Sequence, residues 1–244
     1  MGMTYGKIQG RGYQNSIYAI SSTCHTAAKE IKEKELIVFL AAPPATGKIH
    51  TCDSTLSVRQ RIGLYGYAVC RYGWISLYEC LARYPFSGWK KTKGLKGAPE
   101  TFDAEAMYAL IKETKGSDTW WPVYDRNLHE PLKYRLHITG SILLVEGNYL
   151  LLDEKPYRSL SALCDYCVFI QAEENLLRDR LIDRKSRGGL SKEQAEVFYE
   201  KSDRCNVQRV LHNRLNSDEV WKLCTDGGYR LISRSFDESW QNIL

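Results

Sequence analysis

Five consecutive apolar residues, Leu36-Ile37-Val38-Phe39-Leu40, run into a turn that carries two prolines and ends in Gly47-Lys48. A strand with no polar position has no face to offer to water, so both faces must be covered. The middle of a parallel sheet with helices packed on each side meets that demand. Two further runs repeat the pattern: Ser141-Ile142-Leu143-Leu144-Val145, closed by Glu146-Gly147, and Tyr166-Cys167-Val168-Phe169-Ile170. Each is followed by sequence that reads as helix. Glu173 to Arg187 is charged and amphipathic, and Ser191 with Gln194 three residues later makes a capping-box pattern. Strands alternating with helices predict a three-layer α/β fold with a mainly parallel sheet.

The same pass divides the chain. Residues 1–35 form an N-terminal extension of weak periodicity, within which Ala27 to Glu35 reads as a charged helix. Residues 36–215 form the main domain. Residues 216–244 form a C-terminal segment, where Asp226-Gly227-Gly228 predicts a short hairpin packed on that domain. With 43% hydrophobic residues in 244, the chain has enough apolar surface for a core, which excludes wholesale disorder. A net charge of +5 is too small to imply a nucleic-acid partner. No apolar run reaches the ~20 residues that span a bilayer, so no membrane partner is expected. Met1 to Gly10 is polar and glycine-rich, without the apolar centre of a secretion signal, so a cytoplasmic location is expected. Cys164 and Cys167 have C-x-x-C spacing, but no second pair or histidine cluster completes a zinc site; they read as two reduced thiols of a buried strand.

The turn after the first strand is Ala42-Pro43-Pro44-Ala45-Thr46-Gly47-Lys48-Ile49. It follows the pattern G-x-x-x-x-G-K-[ST] of a loop whose backbone N–H groups cradle phosphates and whose lysine reaches the β/γ oxygens. Pro43, Pro44, Ala45, Thr46, Gly47, Lys48 and Ile49 are therefore the candidate nucleotide-binding residues. Two positions depart from the pattern. Ala42 replaces the first glycine, at a cost in backbone freedom. Ile49 replaces the hydroxyl that should ligate Mg²⁺.

Further segments occur in a fixed order: Lys96-Gly97-Ala98-Pro99-Glu100-Thr101-Phe102-Asp103, then Pro122-Val123-Tyr124-Asp125-Arg126 with His129, then Val145-Glu146-Gly147-Asn148-Tyr149-Leu150-Leu151, then Gly188-Gly189-Leu190-Ser191, then Asp203 with Asn206. Over residues 36–48 and 94–215 this set resembles the P-loop kinases of the uridine kinase, phosphoribulokinase and pantothenate kinase group. It looks closest to bacterial pantothenate-kinase-like and nucleoside-kinase-like members. The resemblance implies a P-loop fold with a small helical lid, ATP and Mg²⁺ as cofactors, and transfer of the γ-phosphoryl group to a hydroxyl of a small molecule. It implies that Lys48 holds phosphate and that Glu146 acts on Mg²⁺ through water. Tyr124, Asp125 and His129 resemble the acceptor segment, and Lys96 and Glu100 the segment flanking the acceptor pocket. Arg180, Arg184 and Arg187 share one helix face by their spacing. In this family such a face belongs to a lid over ATP, where Arg180 and Arg184 would offset phosphoryl charge and Arg187 would help hold the nucleotide. Oligomeric state does not follow from the sequence, and a homodimer is the common default.

The resemblance stops across residues 49–92. Family members carry Ser-Thr-Leu directly after the lysine, and later a strand ending near Met-Asp-Gly-Phe-His, whose aspartate is the expected base. Neither is present, and the segment shows no clean periodicity. Reading the permitted codons of Ile49-His50-Thr51-Cys52 one base later yields serine, threonine, leucine. The same shift from Arg71 through Leu77 yields glycine, methionine, aspartate, glycine, phenylalanine, histidine. Both missing motifs fall in one shifted frame. Residues 49 to about 92 therefore read as out of frame, with an impaired chain as the expected result, because the segment should supply a helix, a core strand, the Mg²⁺ hydroxyl and the base. A nucleotide-binding regulator without transfer activity is the alternative expectation.

Overall fold

A computed structural model describes residues 36–47, 67–71, 97–115, 117, 119–125, 130–138 and 142–235. Its described strands are β1 (Leu36–Ala41), β2 (Tyr67–Arg71), β3 (Thr119–Asp125), β4 (Glu130–Ile138), β5 (Ile142–Gly147), β6 (Tyr166–Gln171), β7 (Glu219–Leu223) and β8 (Tyr229–Arg234). Its described helices are α1 (Ala104–Thr114), α2 (Glu174–Arg187), α3 (Lys192–Phe198) and α4 (Arg204–His212). The expected strands at Leu36, Ile142 and Tyr166 are all present. The helix expected over Ala27 to Glu35 lies outside the described residues.

All six residues of β1 are buried, as an apolar run without a polar face requires. It sits inside a six-stranded sheet of order β2-β5-β1-β6-β7-β8. β1 pairs in parallel with β5 on one side and with β6 on the other. Successive side chains of a strand point to opposite faces, and the two faces carry separate cores. Leu36, Val38 and Leu40 join Val168, Ile170, Leu177, Leu181, Ala195 and Trp221. Ile37, Phe39 and Ala41 join Met107, Ile111, Val145, Leu150, Leu160 and Phe169. Helices α2 and α3 thus cover one face and α1 covers the other, which is the expected three-layer α/β arrangement.

Two differences from the sequence reading concern the sheet. Two C-terminal strands extend the sheet, flanking the Asp226-Gly227-Gly228 turn. β7 pairs in parallel with β6, and β8 returns antiparallel to β7. The period-two burial of Glu219-Val220-Trp221-Lys222-Leu223 places Trp221 and Leu223 in the core that α2 and α3 cover, with the buried Glu219 on the same face. The strand expected to be lost with residues 49–92 is also present: Tyr67–Arg71 pairs in parallel with β5. Tyr67 and Val69 suit a strand by propensity, and a strand forms at this position although residues 49–92 depart from the family pattern.

The helices on the face of β6 begin and end where local chemistry directs. The capping box at Ser191 is complete: Gln194 N donates to Ser191 Oγ at 3.2 Å, and Ser191 N donates to Gln194 Oε1 at 2.9 Å. Before it, Gly189 adopts a φ of +104° and lets the chain reverse between α2 and α3. A π-helical turn over Tyr199–Asp203 joins α3 to α4. Lys185 reaches across from α2 to Asp203 at 3.3 Å and lies 3.5 Å over the Phe198 ring. β3 and β4 form a separate antiparallel hairpin. Trp121 anchors it, with its indole donating to Thr114 Oγ1 of α1 at 3.0 Å.

Candidate active site

The turn from Ala42 to Gly47 leaves the C-terminal end of β1, and Ala42 N donates to the Gly147 carbonyl at the end of β5 at 3.4 Å. Ala42 is fully buried. The left-handed residues of the loop are Ala45, at φ 70°, and Gly47, at φ 88°. The cost expected from replacing the first glycine therefore does not fall at Ala42. A separate strain lies at Ala45, where an L side chain in this region costs about 1–2 kcal/mol. Three of the loop carbonyls are held by hydrogen bonds. Thr46 Oγ1 donates to the Pro43 carbonyl at 3.0 Å, Arg180 Nη1 to the Ala45 carbonyl at 3.3 Å and Tyr229 Oη to the Thr46 carbonyl at 2.8 Å. A loop whose carbonyls are tied to the protein can turn its N–H groups toward an anion.

Glu146 sits beside the base of this loop. It is paired in register with Leu40, one residue before the end of β1, and is 3% exposed. A carboxylate there suits a divalent cation reached through water. Among the described residues no group of three His, Cys, Asp or Glu side chains could hold a metal ion. Glu146 is the carboxylate placed to assist a Mg²⁺ that phosphate and water would otherwise hold.

α2 carries all three expected arginines. Arg180 is half-buried against the loop, whereas Arg184 and Arg187 are exposed, and Arg187 pairs with Asp183 at 2.6 Å. Glu100 stands on a short 3₁₀ turn, Pro99–Thr101, and its carboxylate accepts from Arg209 Nη1 at 2.5 Å. Arg209 of α4 also binds Glu154, which in turn accepts from Asn213 Nδ2 at 2.8 Å. These contacts hold the Glu154 carboxyl below its ordinary range, through Arg209 first, and push the Arg209 guanidinium up. Beside this cluster opens a cleft of about 370 Å³, lined by Glu100, Phe102, Asp103, Glu105, Tyr157 and Arg209 among others. The rings of Phe102 and Tyr157 flank Tyr149, two residues beyond β5, at 5.6 and 5.7 Å. Tyr149 is buried, its phenol pushed far up by desolvation, and it donates to the Gly97 carbonyl at 2.5 Å.

Tyr124 and Asp125 end β3, opposite Pro131 and Glu130. Lys48, Ile49, Lys96 and His129 lie outside the described residues. Cys164 and Cys167 are free thiols at the N-terminal end of β6, away from the loop. Cys164 is pushed up by burial, and Cys167 Sγ lies 3.1 Å from Asp218 Oδ2. The residues that sequence reasoning missed are Tyr229 and Arg209. Neither belongs to a motif, and both meet their partners across the chain, so no local signal marks them.

No family model matches the chain. It is 35% identical over 210 residues to the uncharacterized protein YggC of Escherichia coli (strain K12), across 82% of this chain and 83% of that one. It is 27% identical over 197 residues to a candidate uridine kinase of Schizosaccharomyces pombe, across 77% and 83%. A candidate fructose transport system kinase of Silicibacter sp. TM1040 superposes with a TM-score of 0.73 at 23% identity, covering 84% of this chain and 98% of that one. The structural likeness concerns the fold. Among the described residues no helix is long and apolar enough to cross a membrane.

Proposed function

Because the chain belongs to the P-loop small-molecule kinases of the uridine kinase, phosphoribulokinase and pantothenate kinase group, we propose that it binds ATP in the Ala42–Lys48 loop and is built to transfer the γ-phosphoryl group to a hydroxyl of a nucleoside, a pantothenate-like molecule or a sugar. The observation that carries this reading is the loop itself, with the carbonyls of Pro43, Ala45 and Thr46 tied to the protein and a buried Glu146 at its base. In the proposed roles, Lys48 binds phosphate oxygens and the backbone from Pro43 to Gly47 cradles them. Arg180 braces the loop and, with Arg184, offsets phosphoryl charge, while Arg187 helps to hold the nucleotide. Glu146 orients water around Mg²⁺, and Mg²⁺ when bound would neutralise charge on the β and γ phosphates. Lys96, Glu100, Tyr124, Asp125 and His129 are the residues assigned to the acceptor in this reading.

In this reading the chain as written binds nucleotide but is impaired in transfer. Ile49 offers no oxygen to Mg²⁺, and residues 49–92 contain no counterpart of the expected base, so parts that act as a unit are missing. The test is to resequence codons 48–96 and assay a frame-restored chain against the present one with ATP and a panel of hydroxyl acceptors. Transfer by the restored chain alone supports an interrupted kinase. Normal turnover by the present chain would falsify the impairment. Ile49 also favours a second reading, a nucleotide-binding regulator, which gains if the coding DNA holds no shifted frame and ATP binds without transfer.

A further inference from the structure

A phosphate loop works by aiming backbone N–H groups at an anion. Each N–H belongs to a planar trans peptide unit whose carbonyl points the opposite way. Fixing the carbonyl therefore fixes the N–H. The Pro43 carbonyl, held by Thr46 Oγ1, belongs to a unit that ends in the Pro44 nitrogen and carries no N–H. The Ala45 carbonyl, held by Arg180, belongs to the unit that carries the Thr46 N–H. The Thr46 carbonyl, held by Tyr229 Oη at 2.8 Å, belongs to the unit that carries the Gly47 N–H. Tyr229 opens β8, 183 positions along the chain, and is 7% exposed. Its hydroxyl stands 3.0 Å from where a Cβ of Gly47 would lie. The hydroxyl thus occupies the room that the glycine leaves, against the peptide it holds.

We infer that Tyr229 is a positioning residue for phosphate binding: by holding the Thr46 carbonyl it aims the Gly47 N–H into the loop, which makes the C-terminal hairpin part of the nucleotide site. The inference rests on the nucleotide-binding reading above and extends it to a residue outside every matched motif. A hydrogen bond to the carbonyl also polarises the peptide and strengthens its N–H as a donor. The Tyr229 ring packs in the core with Leu40, Trp221 and Leu223, so phenylalanine at this position keeps the packing and removes one donor.

The experiment compares Tyr229→Phe with Tyr166→Phe in the full chain. Tyr166 is 8% exposed in the same core, at the start of β6, with its hydroxyl engaged by Glu219. ATP affinity is measured by calorimetry, and amide hydrogen exchange is followed over residues 42–47. Tyr229→Phe is expected to weaken ATP binding about three- to tenfold and to speed exchange in the loop. Tyr166→Phe is expected to lower Tm while leaving both readouts at parental values. Equal effects of the two variants, or parental loop exchange and affinity in Tyr229→Phe, overturn the inference. Should the parent bind no ATP, the nucleotide reading fails by itself, and loop exchange decides the positioning: acceleration confined to Tyr229→Phe carries it, and none ends it.

Discussion

The phosphate loop and the cleft beside Arg209 are braced by opposite means. The loop is tied through its carbonyls, by a threonine hydroxyl, a tyrosine hydroxyl and one guanidinium N–H. The cleft is tied through ions, with Arg209 held between Glu100 and Glu154. The first kind of bracing uses acceptors and leaves N–H groups available to a ligand. The second neutralises the cation in place, so Arg209 serves as a strut between α4, the Pro99–Thr101 turn and the segment after β5. The proposed reading therefore assigns a triphosphate to the loop and not to Arg209.

That contrast can be broken by exchanging effects between the two ends. The largest expected effect is on stability at the cleft. Arg209→Met removes the guanidinium from both Glu100 and Glu154, leaving Glu154 with Asn213, and with the cluster partly exposed the loss is about 2 kcal/mol, or about 4–8 °C in Tm. ATP affinity should stay within about twofold of the parent, and a larger change would mean that Arg209 reaches the nucleotide. Next is Arg180→Ala, which frees the Ala45 carbonyl. It should weaken ATP about tenfold with a smaller change in Tm than Arg209→Met, and calorimetry beside a melting curve reads both. Third, Ala45→Gly relieves the left-handed strain at φ 70°. The relief of about 1–2 kcal/mol, less the extra chain entropy of glycine, should raise stability by about 0.5 kcal/mol. A loss of stability in denaturant melts would show that Ala45 is not strained.

The smallest effect is on pH. The Glu154 carboxyl is held low by Arg209, so its contribution is present above the ordinary carboxylate range and is lost as pH falls through the folded-state value. The drop in Tm on acidification below about pH 5 should be shallower in Glu154→Gln than in the parent. Parallel curves would assign the acid sensitivity to other groups.

How much of this was legible in the sequence depends on the distance over which each feature is decided. The apolar runs at Leu36, Ile142 and Tyr166 and the Ser191–Gln194 cap are local patterns, and each marks its element. The order of short motifs carried the family, because Gly47-Lys48, Glu146-Gly147 and Gly188-Gly189 constrain one another only together. The β3–β4 hairpin had a local signal that went unread, since Leu132, Tyr134, Leu136 and Ile138 alternate with Lys133, Arg135 and His137. The grip of Tyr229 on Thr46 had none, because it joins residues that only the order of the sheet brings together. The backbone state of Ala45 was likewise hidden, since the pattern leaves that position open.

The central proposal is that the Ala42–Lys48 loop is a working phosphate site even though the sequence after it departs from the family pattern. Calorimetric titration of the purified chain with ATP and with AMP tests it most directly, alongside a melting curve that establishes cooperative folding. The account predicts that ATP binds at least about tenfold more tightly than AMP, because the β and γ phosphates are what such a loop holds. Equal affinity for the two, or no binding by a cooperatively folded chain, would contradict it.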